Sequence, residues 1–162
     1  MRNCMVVVCL LVVGVTLSAA QGKIESQWSC GKPGDMHSVA VADHEGHAYA
    51  VAQGKCTSEK GSMGDVKEQE GSYSEFGDAT SSSNENRGIF VVTMANGDKV
   101  YYHYHGTQTM KNGNMETGTN KWTITGGTGK FKGVKGEGGC KGKGGADGAS
   151  SWTCEGTYSM AK

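Results

Sequence analysis

The sequence predicts an all-β protein, an antiparallel up-and-down β-barrel of about eight short strands stapled by disulfides. Three observations carry that reading. Every leucine of the 162-residue chain, Leu10, Leu11 and Leu17, falls within the first twenty residues. Leucine propagates helices and dominates their buried stripe, so a leucine-free remainder argues against any amphipathic helix there. Of 27 glycines only Gly14 lies in that leading segment. The apolar residues spread among the others are Val, Tyr, Trp, Phe and Ile at intervals of two, the period of strands. Finally, Asn96-Gly97 and Asn112-Gly113 punctuate the pattern, and Asn-Gly accepts the positive φ angles of a type I′ hairpin turn.

Residues 1–20 read as an export signal. Arg2 is a positive head, and Met5 to Val15 is an apolar core of eleven residues, against the roughly twenty that a membrane span needs. Ser18-Ala19-Ala20 supplies the small residues of a cleavage site, which places the new terminus at Gln21. Residues 21–162 then form a single barrel domain. Cys4 and Cys9 leave with the signal, and neither sits in a lipobox. With no second apolar stretch, the expected product is secreted or periplasmic and lacks a transmembrane segment.

Without Arg2 the domain carries 15 basic and 16 acidic side chains. Near-neutrality gives no electrostatic footprint for nucleic acid or an anionic membrane. The core must be thin, because the domain has three Trp, three Phe and three Ile. Four cysteines remain, Cys30, Cys56, Cys140 and Cys154, and an even count in an exported chain reads as two disulfides with three possible connectivities. Zinc held by four cysteines is disfavoured because no C-x₂₋₄-C pair occurs.

The strands follow in order. His37 to Asp43 and His47 to Gln53 alternate around His44-Glu45-Gly46 and read as a hairpin. Val39 and Val41 share a face, and Tyr49 and Val51 share another opposite small alanines, which suggests the close approach of another layer or a narrow barrel interior. Residues 57–87 are rich in Ser, Glu, Gly and Asn and promise little beyond a strand near Ser72 to Phe76. Their carboxylates, Glu68 and Glu70 among them, read as solvated surface. Gly88 to Met94 and Lys99 to His105 flank Asn96-Gly97; Lys121 to Thr125 places Trp122 and Ile124 on one side. Glycines between Gly126 and Lys143 mark bulges and sharp coiling, as a small barrel needs. Ser151 to Met160 closes the chain with Trp152, Cys154 and Tyr158 on one face. A turn near Ala146 and the turn at His44 to Gly46 predict the pairs Cys140–Cys154 and Cys30–Cys56.

Three stretches together carry a resemblance: Gly97 to Tyr102 with its flanks, Trp122 to Gly138, and Trp152 to Tyr158. They resemble small exported bacterial proteins of the allene oxide cyclase and dirigent barrel superfamily. The resemblance covers residues 88–160 and implies an eight-stranded antiparallel barrel with an apolar cavity. No catalytic residue of the plant cyclases is matched residue by residue, so their isomerase activity does not carry over.

The chemistry offered by the residues is narrow. A phosphate loop fails, because Gly129-Lys130 has Ile124 and Phe131 where a Walker loop needs Gly and Ser or Thr. No Gly-x-Ser-x-Gly elbow appears. The lysines from Lys130 to Lys143 read as solvated side chains that protect a glycine-rich strand. His103 and His105, two apart on a strand, place both imidazoles on one face and form a candidate metal pair. The glutamate and later histidine of a cupin are missing, so completion would need His37, His44 or His47. The competing reading puts both on the solvent face, opposite Tyr102 and Tyr104. The favoured reading is a binding or structural module rather than an enzyme, in which Tyr102, Tyr104, Trp122 and Trp152 face a small apolar ligand. The alternatives are a metal-dependent enzyme centred on His103 and His105, and an envelope barrel filled by its own side chains. No cofactor is expected apart from such a transition metal.

Overall fold

A computed structural model describes residues 21–161, so the export signal expected at residues 1–20 lies outside the described residues. Ten strands follow in order: β1 (Gln21–Cys30), β2 (Asp35–Ala40), β3 (Ala48–Lys60), β4 (Ser62–Met63), β5 (Val66–Ala79), β6 (Ser83–Met94), β7 (Lys99–Lys111), β8 (Asn114–Gly127), β9 (Lys135–Gly144) and β10 (Ser150–Ser159). Eight of them close an antiparallel barrel. From β5 to β10 each strand pairs with the next, β10 returns to β1, and β3 joins β1 to β5. β2 continues the line of β1 along the first half of β3, and β4 pairs with the start of β5. No helix among the described residues is long and apolar enough to cross a membrane.

Closure removes the exposed sheet edges that an open meander would present. Its weakest join is the seam between β1 and β3, where only Gln27–Cys30 of β1 reach β3. The Cys30–Cys56 disulfide sits in that seam, and Cys140–Cys154 crosslinks the directly opposed residues of β9 and β10. Both bridges point into the barrel, where Cys30, Cys56 and Cys154 are buried.

Four expectations need correction. The barrel strands are not short: they run from 10 residues in β1 to 14 in β5 and β8. The polar segment 57–87 is almost wholly strand. Gly71, Tyr73, Glu75 and Gly77 point inward on β5, with exposed Ser72 and Ser74 between them. The interior is itself polar and glycine-rich there, so apolar alternation could not reveal it. The Asn96-Gly97 turn is not type I′, since Gly97 has φ +84° and Asn96 does not have a positive φ. Asn96 instead accepts the Asp98 N–H through its side chain. The I′ geometry does occur at Asn112 (φ +53°) and Gly113 (φ +76°), where Lys111 opposes Asn114. The hairpin joining β9 to β10 is centred one residue beyond Ala146, which sets Cys140 directly opposite Cys154 and Gly142 opposite Trp152.

The alanines of β3 do face a narrow interior. Ala52 is buried and Ala48 and Ala50 are half-buried, while Tyr49 and Val51 are exposed on the outer wall. The glycines of β9 have a packing reason beyond coiling. Trp122 lies over Gly138 and Trp152 over Gly142, each directly across the strand pair. A Cβ on Gly142 would come within 2.6 Å of the Trp152 ring, and one on Gly138 would strike Trp122 and the Glu155 carbonyl. Gly138→Ala should therefore overpack the wall and cost about 1–3 kcal/mol. The denaturant midpoint checks this, and an unchanged midpoint would contradict it.

The core concentrates at one end. Met63, Met94, Val92, Val100, Phe131 and Val134 are each at most 1 % exposed and floor the barrel. The Gly129–Phe131 turn of 3₁₀ helix supplies Phe131 as its plug. Towards the other end, at the turns after β5, β7 and β9, the inward residues include the polar Asn84, Gln108 and Asn120 beside Ala48, Ala50 and Met110.

Candidate functional site

Above the floor lies a cavity of about 130 Å³. Inward positions on successive strands build it. Trp28 stands edge-on to Phe90 at 5.0 Å between ring centres, and Tyr102 stands edge-on to Trp122 at 5.4 Å. Such edge-to-face pairs add about 0.5–1.5 kcal/mol beyond burial and fix ring orientation. Ile24 and Val92 complete the apolar wall, and both disulfides line it. Tyr102, Tyr104, Trp122 and Trp152, singled out from sequence, all border this space. Trp152 is half-buried nearer the mouth, where its Nε1–H donates to Ser150 Oγ at 3.1 Å.

Two carboxyl groups face the same interior, and the sequence reading missed both roles. Glu68 is 7 % exposed, not solvated surface. Residues 68 and 70 straddle a register shift in the pairing with β6, which turns Glu68 inward. Burial pushes its carboxyl up from 4.5 to about 7, and the neighbouring Ser26 hydroxyl opposes this only in part. Glu68 Oε2 and Ser26 Oγ are both buried without a hydrogen-bond partner in the protein.

Glu75 sits higher, towards the mouth. Its Oε2 accepts the Tyr104 hydroxyl at 2.8 Å and Asn86 Nδ2 at 3.1 Å. Burial raises this carboxyl as well, while the two donated hydrogen bonds pull it back. Tyr104 is pushed up strongly by burial and by the adjacent Glu75, and Tyr73 rises to about 12. Gln108 and Asn120 add polar groups at this level, with Asn120 Oδ1 buried and unpartnered. Glu75 shares its inward face on β5 with Gly71, Tyr73 and Gly77, a face so poor in apolar residues that the sequence carries no alternation by which to place it. Chemically, a carboxyl that holds its proton well above the usual carboxylate range, as burial makes Glu68 do, can donate a hydrogen bond or a proton, which an ordinary carboxylate cannot.

His103 and His105 lie outside the barrel, both exposed. His105 stands between Arg87 on β6 and Lys121 on β8, and His103 between Ile89 and Thr123. Neither neighbour pair supplies a further ligand, and the two cations oppose a bound metal. Among the described residues, the histidines that do gather with carboxylates are His44 and His47, with Asp43, in the turn between β2 and β3.

No protein-family model matches the sequence, and no curated protein is detectably similar to it. Among solved structures the chain is similar to a pterocarpan synthase dirigent protein, with a TM-score of 0.53 and 13 % identity. The match covers 97 % of this chain and 98 % of that one. At that identity the likeness establishes a dirigent-like β-barrel fold.

Proposed function

We propose that the barrel is a binding cup for a small, neutral, ring-sized molecule that its interior carboxyl groups orient by hydrogen bonding. The observation that carries this reading is the aromatic-walled cavity of about 130 Å³ with Glu68 and Glu75 facing into it. Apolar cavities of about 150 Å³ admit benzene, so one six-membered ring with a small polar substituent is the size expected. Trp28, Phe90, Tyr102 and Trp122 supply faces and edges for it, and a few converging polar groups fix its orientation. The structural neighbour is named as a pterocarpan synthase, and a synthase on the same barrel fold supports reading the interior as a place for a small molecule. The two disulfides support an oxidising compartment, in keeping with export directed by residues 1–20.

Phenol is the probe of choice. Its addition should change the tryptophan emission saturably at one molecule per chain and raise the melting temperature by mass action. Asn120→Phe, which fills the mouth, should abolish both effects, and Glu75→Gln should weaken them while leaving the fold intact. Unchanged emission and melting at millimolar phenol would overturn the reading.

A further inference from the structure

We propose that the turn between β2 and β3 is a binding site for a divalent transition metal of the zinc and copper class. Asp43, His44 and His47 would be its ligands, and Asp78 of β5 the carboxylate that orients His47. One oxygen of Asp43 and one ring nitrogen of each histidine already lie within 4.8 Å of one another. Bonds of about 2.0–2.2 Å to a shared ion need donor atoms gathered on that scale.

The geometry around His47 is the specific part. Its Nδ1 faces Asp43 Oδ1 at 2.6 Å and its Nε2 faces Asp78 Oδ1 at 2.9 Å. Metal-bound imidazoles usually give their second nitrogen to a carboxylate, which fixes the ring and raises its basicity. Asp78 stands in that relation to a metal on the Nδ1 side. His44 stacks on His47 with ring centres 4.7 Å apart, and its Nε2 is 3.8 Å from Asp43 Oδ2. The His47 side chain is 10 % exposed while those of His44 and Asp43 are open to solvent. The site would thus be half-walled, with coordination positions left for water.

Charge supports a cation here. Asp43 and Asp78 make ion-pair contacts with the imidazoles only, and with no lysine or arginine among the described residues. Glu85 opposes Asp78 across β5 and β6, and Glu45 lies in the turn itself. The turn is also braced in advance. Gly46 takes φ +78°, the Val41 N–H donates to the His47 carbonyl, and the His44 N–H donates to Asp43 Oδ1 at 2.8 Å. Imidazole with carboxylate suits zinc, copper or nickel better than calcium or magnesium, which prefer all-oxygen sets.

Calorimetric titration of the full protein with zinc chloride, after chelator treatment, tests the site. The expected result is one zinc per chain, weakened at least tenfold by His44→Gln and by His47→Gln. Asp78→Asn should weaken it roughly 10–100-fold, the scale on which carboxylates behind ligating histidines act. His44 is exposed, so its variant keeps the test valid even if His47→Gln loosens the turn. The double variant His103→Gln/His105→Gln should bind zinc as the unmodified protein does. No saturable binding, binding indifferent to His44 and His47, or binding lost with His103 and His105 would each overturn the proposal.

Discussion

Replacing Cys30 and Cys56 together by alanine should lower the stability of the barrel by about 3.5 kcal/mol and open it along one line. The magnitude follows from the chain entropy released by a bridge across 26 residues. The location follows from the seam. β1 is paired with β10 along its whole length but with β3 only at Gln27–Cys30. Without the bridge, those few pairs alone hold the closed sheet together. Amide hydrogens at Gln27–Cys30 and Cys56–Lys60 should then exchange far faster than those of β7 and β8. The matching pair Cys140→Ala/Cys154→Ala provides the contrast. It closes a loop of 14 residues between two fully paired strands, so it should cost about 3 kcal/mol without selective exchange. Equal exchange profiles in the two double variants would contradict the seam.

Glu68→Gln should make the protein more stable than the unmodified chain at pH 8, and the gain should disappear towards pH 4.5. The folded protein holds the Glu68 proton to about pH 7, whereas the unfolded chain releases it near 4.5. The folded state therefore binds more protons between those values, and stability falls as pH rises through the window. The stabilising effect of the neutral carboxyl is complete below 4.5 and gone once pH passes 7. A gap of that size corresponds to something on the order of 3 kcal/mol. Glutamine is neutral throughout, so the difference between variant and parent should climb with pH by that amount. Urea unfolding at pH 5 and pH 8 reads it directly. A difference that stays flat with pH would mean that Glu68 is ionised in the folded protein.

The class of fold was legible because it depends on what the chain lacks. A domain without leucine, with β-branched and aromatic residues at intervals of two, matches the pattern of strands and offers little to a helix's buried stripe. The disulfides were legible because local turns bring each pair together. The polar half of the cavity was not. Glu68 and Glu75 sit in a segment whose inward positions are Gly71, Tyr73 and Gly77, so its hydrophobic alternation is nearly absent. A bulge in the pairing with β6 decides which way Glu68 points, and no residue type announces it. His103 and His105 show the converse. Their spacing marks a shared face, but only the sheet register reveals that Arg87 and Lys121 flank that face.

A residue-resolved NMR titration with phenol will show whether a ring-sized molecule occupies the barrel interior, as proposed. The indole signals of Trp28 and Trp122 and the methyl signals of Ile24 and Val92 border the cavity and should move together with one dissociation constant. The outer-wall signals of His103 and Lys121 should stay in place. Cavity signals that do not move, or shifts confined to the outer wall, would contradict it.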